Sequence, residues 1–156
     1  MTNIVPLSSY QAPNGRVVAI SGCFDILHIG HIRFIEAASQ KGDALVVLLE
    51  SDDFIEKYKM RKPFHNQAER AELLSHIKEV DVVVVLPFMT KELMYSDMWK
   101  TVSPAIIALT EGDTYLKEKI AQAAEVGAEV VEVVPLIKGK STTVALTHNP
   151  LRSVLD

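Results

Sequence analysis

"SGCFDILHIGHIRFI", residues 21–35, decides how the chain is read. It joins the end of an apolar, β-branched run, Val17 to Ile20, to a stretch with helical spacing of apolar residues, and sets Gly22, Gly30 and two histidines at the join. In an open parallel sheet, ligands gather at the carboxyl ends of the strands, where a helix N-terminus offers free N–H groups and partial positive charge to phosphate. Glycine there lets the backbone approach a phosphate closely. His28 and His31 are three residues apart, so helical geometry sets them roughly 60° apart on one face of the first turn, where both imidazoles can address one anion. For either residue alone, the structural alternative is a helix cap or a core histidine. The pair, framed by two glycines after a strand, favours the anion site.

Working outward, short β-branched runs recur at Val17 to Ile20, Ala44 to Leu49, Val80 to Leu86, Ala105 to Leu109 and Glu129 to Val134. Helix-like segments lie between them, around Ile29 to Lys41, Gln67 to Ile77, Lys91 to Lys100 and Tyr115 to Val126. Alternation of this kind predicts an α/β protein, a single doubly wound parallel sheet of about five strands with flanking helices. "NQAE", Asn66 to Glu69, reads as a capping box, and Gly42 and Gly127 follow helices where a left-handed residue is favoured. Residues 1–15 lack periodicity and read as a tail or an edge segment, residues 16–147 as the domain, and residues 148–156, broken by Pro150, as a C-terminal tail.

The chain has 156 residues, 48% of them hydrophobic, enough for one core and one domain. A formal charge of −4 argues against a surface built to neutralise a nucleic-acid backbone, so any anionic ligand must meet local positive charge. One cysteine, Cys23, forms no internal disulfide, and no export signal opens the chain; the expected compartment is the cytoplasm. Apolar runs such as "DVVVVLPF" are far shorter than the roughly 18 to 20 residues of a membrane-crossing helix, so no membrane partner is expected.

"GCFDILHIGH" fits the Gly-x-Phe-Asp-x-x-His-x-Gly-His pattern and thereby resembles the cytidylyltransferase-like nucleotidyltransferases. The resemblance runs from about Val17 to Thr143, through "KYKMRKPFHNQAERAELL", "EGDTY" and "GKSTT", and is similar in pattern to heptose-phosphate adenylyltransferases and glycerol-phosphate cytidylyltransferases. It implies a Rossmann-like sheet that binds a nucleoside triphosphate and lets a substrate phosphate attack its α-phosphorus, with pyrophosphate released. Such chemistry depends on in-line positioning and charge stabilisation and needs no covalent nucleophile. His28 and His31, protonated or as N–H donors, are then expected to stabilise the α-phosphate and the departing pyrophosphate, with Mg²⁺ bridging phosphate oxygens rather than sitting on protein ligands alone.

The same resemblance implies further roles. Lys59, among Lys57, Arg61 and Lys62 in "EKYKMRK", is the lysine expected to close over the triphosphate; a solvated basic loop is the alternative. Gly22, Cys23, Phe24 and Gly30 are expected at the nucleotide, with Cys23 a small buried residue rather than a reactive thiol. Asp113 in "EGDTY" is expected near the nucleoside, with a plain turn residue as the alternative. Ser141, Thr142 and Thr143 supply hydroxyls at the start of a last short helix, suitable for the triphosphate. Asp25, Arg70 and Lys140 are expected to contact the acceptor or a phosphate, although Arg70 also reads as a surface charge. The family's arginine shortly before the hydroxyls has no counterpart, because Leu136 stands there; Lys138 or Lys140 can bring charge but not a guanidinium fork.

ATP with a sugar phosphate is the favoured substrate pair, CTP with a glycerol-type phosphate the alternative, and a homodimer the expected assembly by resemblance. Two other classes compete. "HIGH" and "KMRK" echo aminoacyl-tRNA synthetase signatures, but the chain has neither the length nor the basic surface for tRNA. A regulatory module that binds nucleotide without turnover is the second, and the missing arginine keeps it open.

Overall fold

Val18, Ile20, Leu45, Val47 and Leu49 face one buried cluster while Val17, Ala19, Val46 and Leu48 face another, the period-two alternation of strands covered on both faces. A computed structural model describes residues 3–135. Its strands are β1 (Asn3–Pro6), β2 (Val17–Gly22), β3 (Ala44–Leu49), β4 (Val82–Val85), β5 (Ile106–Thr110) and β6 (Glu129–Val134). The helices are α1 (Ile29–Ser39), α2 (Asp52–Lys59), α3 (Gln67–Ser75), α4 (Glu92–Val102) and α5 (Leu116–Val126). All strand pairs are parallel, in the order β1-β4-β3-β2-β5-β6. The fold is therefore the α/β Rossmann-like sheet that the alternation implies.

Six strands stand where the sequence marks five runs. The sixth is β1, which pairs Asn3 with Val82 and Pro6 with Val85 at the sheet edge. Only four residues long and half exposed, it carries no alternation that could announce it. The segment α2 is likewise a separate helix: Ser51 caps it by accepting from Phe54 N at 3.1 Å, Asp52 and Asp53 occupy its first turn, and Lys57 and Lys59 its last. Those charges complement the helix dipole at both ends.

Of the two helix-following glycines, Gly127 has the expected left-handed conformation, φ 69°. Gly42 does not; α1 ends at Gln40 in the right-handed region. Glycine is required at 42 for closeness instead, because a Cβ there would stand 2.3 Å from the Arg16 carbonyl oxygen. The "NQAE" capping box is present as read: Asn66 Oδ1 accepts from Glu69 N, and Glu69 Oε2 from Asn66 N, each at 2.9 Å.

The chain runs outward from β2 through β3 to β4, then returns to place β5 on the other side of β2. Strand order reverses there, and β2 and β5 pair only at Val18 with Ile106 and Ala19 with Ile107. Their carboxyl ends thus bound a crevice at the topological switch point, where ligands bind in open α/β sheets. Phe34, Ile35, Ala71 and Leu74 bring α1 and α3 onto one face; Met98, Trp99 and Ala123 bring α4 and α5 onto the other.

Candidate active site

His28 is the N-cap of α1, extended at φ −138°, and its Nδ1 accepts from Gly30 N at 3.1 Å. His31, one turn on, accepts from His28 N through its own Nδ1 at 3.4 Å, so the two histidines form a capping box. Their rings stack with centroids 3.9 Å apart. The capping reading is therefore present in the structure, and it does not compete with anion binding at the same helix end. With Nδ1 accepting, each neutral ring carries its proton on Nε2.

Burial pushes the His31 imidazole down to about 4, and the neighbouring His28 adds to the fall, opposed by a hydrogen bond to the Ile26 backbone. Burial likewise lowers His28. Of the two forms open to the sequence, the uncharged N–H donor is the one at neutral pH. Phe24 buttresses the pair, its ring 5.2 Å from that of His31. Its φ of 46° is unusual for a bulky residue, and strained backbone of this kind costs about 1–3 kcal/mol and persists where surrounding structure enforces it.

A cleft of about 180 Å³ opens beside the histidines, walled by Gly22 and Cys23 from the end of β2, Thr110 from β5, and Phe24, His31, Asp113 and Lys119. Asp113 is both turn and wall: its Oδ1 accepts from Tyr115 N at 2.8 Å and its Oδ2 from Lys119 Nζ at 3.0 Å. Lys119 is a cleft residue that the sequence does not single out; it looks no different there from Lys117, and only the turn of α5 selects it. Burial pushes the Cys23 thiol up to about 11, against Lys59, Arg70 and Arg61, so it is a neutral wall and not a nucleophile.

The basic segment divides. Lys57 lies over the rings of Tyr58 and Phe88 at 5.5 and 5.7 Å, whereas the exposed Lys59 is the largest cationic influence on Cys23. Arg61 is paired with Asp25.

Asp25 and Arg70, expected at the acceptor or a phosphate, have their polar groups engaged by the protein. The carboxylate of Asp25, 1% exposed, accepts from Arg61, from Phe64 N and from His65 N, the last two at 3.0 Å. Burial works to raise its pKa, but these donors prevail and hold it below the usual carboxylate range. Arg70 is fully buried; its guanidinium donates to Cys23 O at 2.6 Å, Asp52 Oδ1 at 2.7 Å and His65 O at 3.1 Å. Both residues tie the loop between α2 and α3 to the strand end that carries the motif. Arg70 is not the surface charge that its sequence context allows, because its guanidinium lies inside the core, where it bonds the surrounding acceptors.

Ser141, Thr142, Thr143, Lys138, Lys140 and Leu136 lie outside the described residues. Among the described residues no group of three His, Cys, Asp or Glu side chains is placed to hold a metal ion, and no helix is long and apolar enough to cross a membrane.

Comparison with known proteins agrees with this geometry. The Cytidylyltransferase-like family model matches residues 19–151. The bifunctional protein HldE of Aliarcobacter butzleri is 34% identical over 129 residues, 82% of this chain but 25% of that protein, so the chain spans about a quarter of the length of such relatives. The FAD synthase of Thermococcus sibiricus is 37% identical over 120 residues, 74% of this chain and 78% of that one. Among solved structures, the lipopolysaccharide core biosynthesis protein from Thermoplasma volcanium superposes with a TM-score of 0.64 at 26% identity, covering 80% of this chain and 98% of its own. With the glycine-flanked histidine pair at the switch point and a family model matched over most of its length, the chain belongs to the cytidylyltransferase-like family of nucleotidyltransferases.

Proposed function

We propose that the protein transfers a nucleoside monophosphate from ATP, or alternatively CTP, to a small phosphorylated acceptor, a sugar phosphate, and releases pyrophosphate. The observation that carries this reading is the stacked His28–His31 pair capping α1 beside the cleft. An acceptor phosphate oxygen attacks the α-phosphorus in line, the bond to the β-phosphate bridging oxygen breaks, and its electron pair leaves with pyrophosphate. The Nε2–H of His28 supplies a hydrogen bond where charge grows on the α-phosphate and leaving group, beside His31, whose ring is hydrogen bonded to the Ile26 backbone. Lys59, in the last turn of α2, adds positive charge, and the reading assigns further phosphate contacts to Ser141 to Thr143 and Lys140.

Mg²⁺ fits this site as part of the nucleotide complex, since magnesium keeps several waters and phosphate oxygens and needs few protein ligands. When bound it neutralises phosphate charge. FAD carries an adenylyl group joined to a phosphorylated acceptor, so the named product of the Thermococcus relative is of the proposed kind. The saccharide setting named for the Thermoplasma structure supports a sugar phosphate as acceptor. The test is a panel of four nucleoside triphosphates crossed with phosphorylated acceptors, with Mg²⁺ present and pyrophosphate measured. Nucleotide binding without turnover across a broad panel points instead to the regulatory reading.

A further inference from the structure

Glu50 directly follows β3, at the same edge of the sheet as the cleft, and its N–H donates to Gly22 O at 3.0 Å. It is 6% exposed. Tyr95, from α4, donates its hydroxyl to Glu50 Oε1 at 3.2 Å, while Oε2 is buried and has no hydrogen-bond partner among the described residues. Cys23 and Lys119, both walls of the cleft, interact electrostatically with this carboxyl, as do Arg70 and Tyr115. A buried acceptor left unmatched is unfavourable, and a ligand group that meets it recovers that cost.

Resting on the nucleotidyl-transfer reading, we propose that Glu50 selects the acceptor, its carboxyl hydrogen bonding a hydroxyl of the phosphorylated molecule. The strand order places it suitably. In this reading the crevice between β2 and β5 takes the nucleotide, and Glu50, which follows the neighbouring strand β3 on the side away from β5, stands on the side left for the acceptor. A hydroxyl suits this carboxyl better than an ammonium group does. Lys119 and Arg70 already bring two positive charges to bear on it. Burial, opposed by Tyr95, Lys119 and Arg70, raises the carboxyl to about 7, so near neutrality it is divided between a donor and an acceptor form. A hydroxyl can answer either form; an ammonium group answers only one.

The experiment measures binding by calorimetry in the presence of a non-hydrolysable nucleoside triphosphate. Glycerol 3-phosphate and ribose 5-phosphate are compared with propyl phosphate, which has the phosphate but no hydroxyl. Wild-type protein is expected to prefer at least one hydroxylated probe by roughly tenfold or more. Glu50→Leu should reduce that preference below about threefold with propyl phosphate affinity unchanged, and Glu50→Gln should fall between. Tyr95→Phe keeps the carboxyl but removes its one hydroxyl partner, and serves if Glu50→Leu does not fold; a reduced preference is expected there too. A preference that survives in Glu50→Leu, or in Tyr95→Phe should that variant have to serve, overturns the inference, as does its absence from wild type. Because the readout is binding, an absence of pyrophosphate release with the preference present counts against the transfer reaction alone, and turnover without the preference counts against Glu50 alone.

Discussion

His28 and His31 cap one helix together, each Nδ1 holding a backbone N–H and each ring lying against the other. The relationship orients both rings without charging either, and a polyanion bound beside them would raise their affinity for a proton.

Replacing either ring should therefore affect turnover far more than folding. His28→Ala and His31→Ala are each expected to lower turnover by roughly a hundredfold or more. Loss of the cap in His28→Ala should cost stability of about 1 kcal/mol. Steady-state pyrophosphate release beside urea unfolding separates the two effects; near-normal turnover in either variant removes that histidine from the chemistry.

Stability should carry two opposed pH dependences. His31 is held at about 4 against an ordinary 6.5, so its contribution is present above pH 6.5 and is lost as pH falls through 4. Glu50 is raised from 4.5 to about 7, so its contribution is present below pH 4.5 and is lost as pH rises through 7. Each is on the order of 3 kcal/mol. His28 and Phe24 face His31, and Tyr95, Lys119, Arg70, Cys23 and Tyr115 face Glu50. Glu50→Gln should leave stability climbing between pH 4.5 and 6.5, and His31→Ala should leave it falling between pH 4.5 and 7, as read from urea midpoints. Unchanged slopes in both variants would contradict these assignments.

The two lysines of α2 should differ. Lys59→Met is expected to weaken triphosphate binding by roughly tenfold, the scale of one charge-assisted hydrogen bond, and the difference should shrink as salt rises. Lys57→Met, whose ammonium rests on aromatic rings, should change affinity little. Equal effects at low salt mean that only the summed charge of the segment matters.

Arg70 is expected to act through stability. Arg70→Met strands the carbonyls of Cys23 and His65, for a cost of about 3 kcal/mol. Arg70→Lys should recover little, because an ammonium cannot span three acceptors in the guanidinium plane. Denaturant midpoints of the two variants provide the check, and a wild-type midpoint for Arg70→Lys would show that charge alone suffices.

By the family resemblance a homodimer is expected, formed near α1 and β3, the strand that follows it. Light scattering at micromolar concentration should give twice the 17.3 kDa chain mass, and a monomer throughout would refute it.

Much of this molecule can be read in short stretches of chain. The bounds of β3 and β6, the Asn66–Glu69 box, the left-handed Gly127 and the histidine pair at the head of α1 all arise from patterns within a few residues, because strand alternation, capping and helix termination are local physics. The edge strand β1 is different, since four half-exposed residues become a strand only when β4 supplies partners almost eighty positions away. So is Gly42, demanded by the Arg16 carbonyl rather than by its own turn. Arg70 and Asp25 reveal their acceptors and donors only after folding brings Cys23, Asp52 and the loop after α2 together. Glu50 and Lys119 belong to the same class. One is an acidic residue after a strand and the other a lysine in a helix, and their surroundings are made by the meeting of β2, β3, β5, α4 and α5. Charge, burial and hydrogen bonding at a cleft depend on neighbours far away in sequence, so the sequence alone determined the parallel sheet and the helix end that carries the histidine pair, and the tertiary structure decided which side chains wall the cleft and which ones brace it.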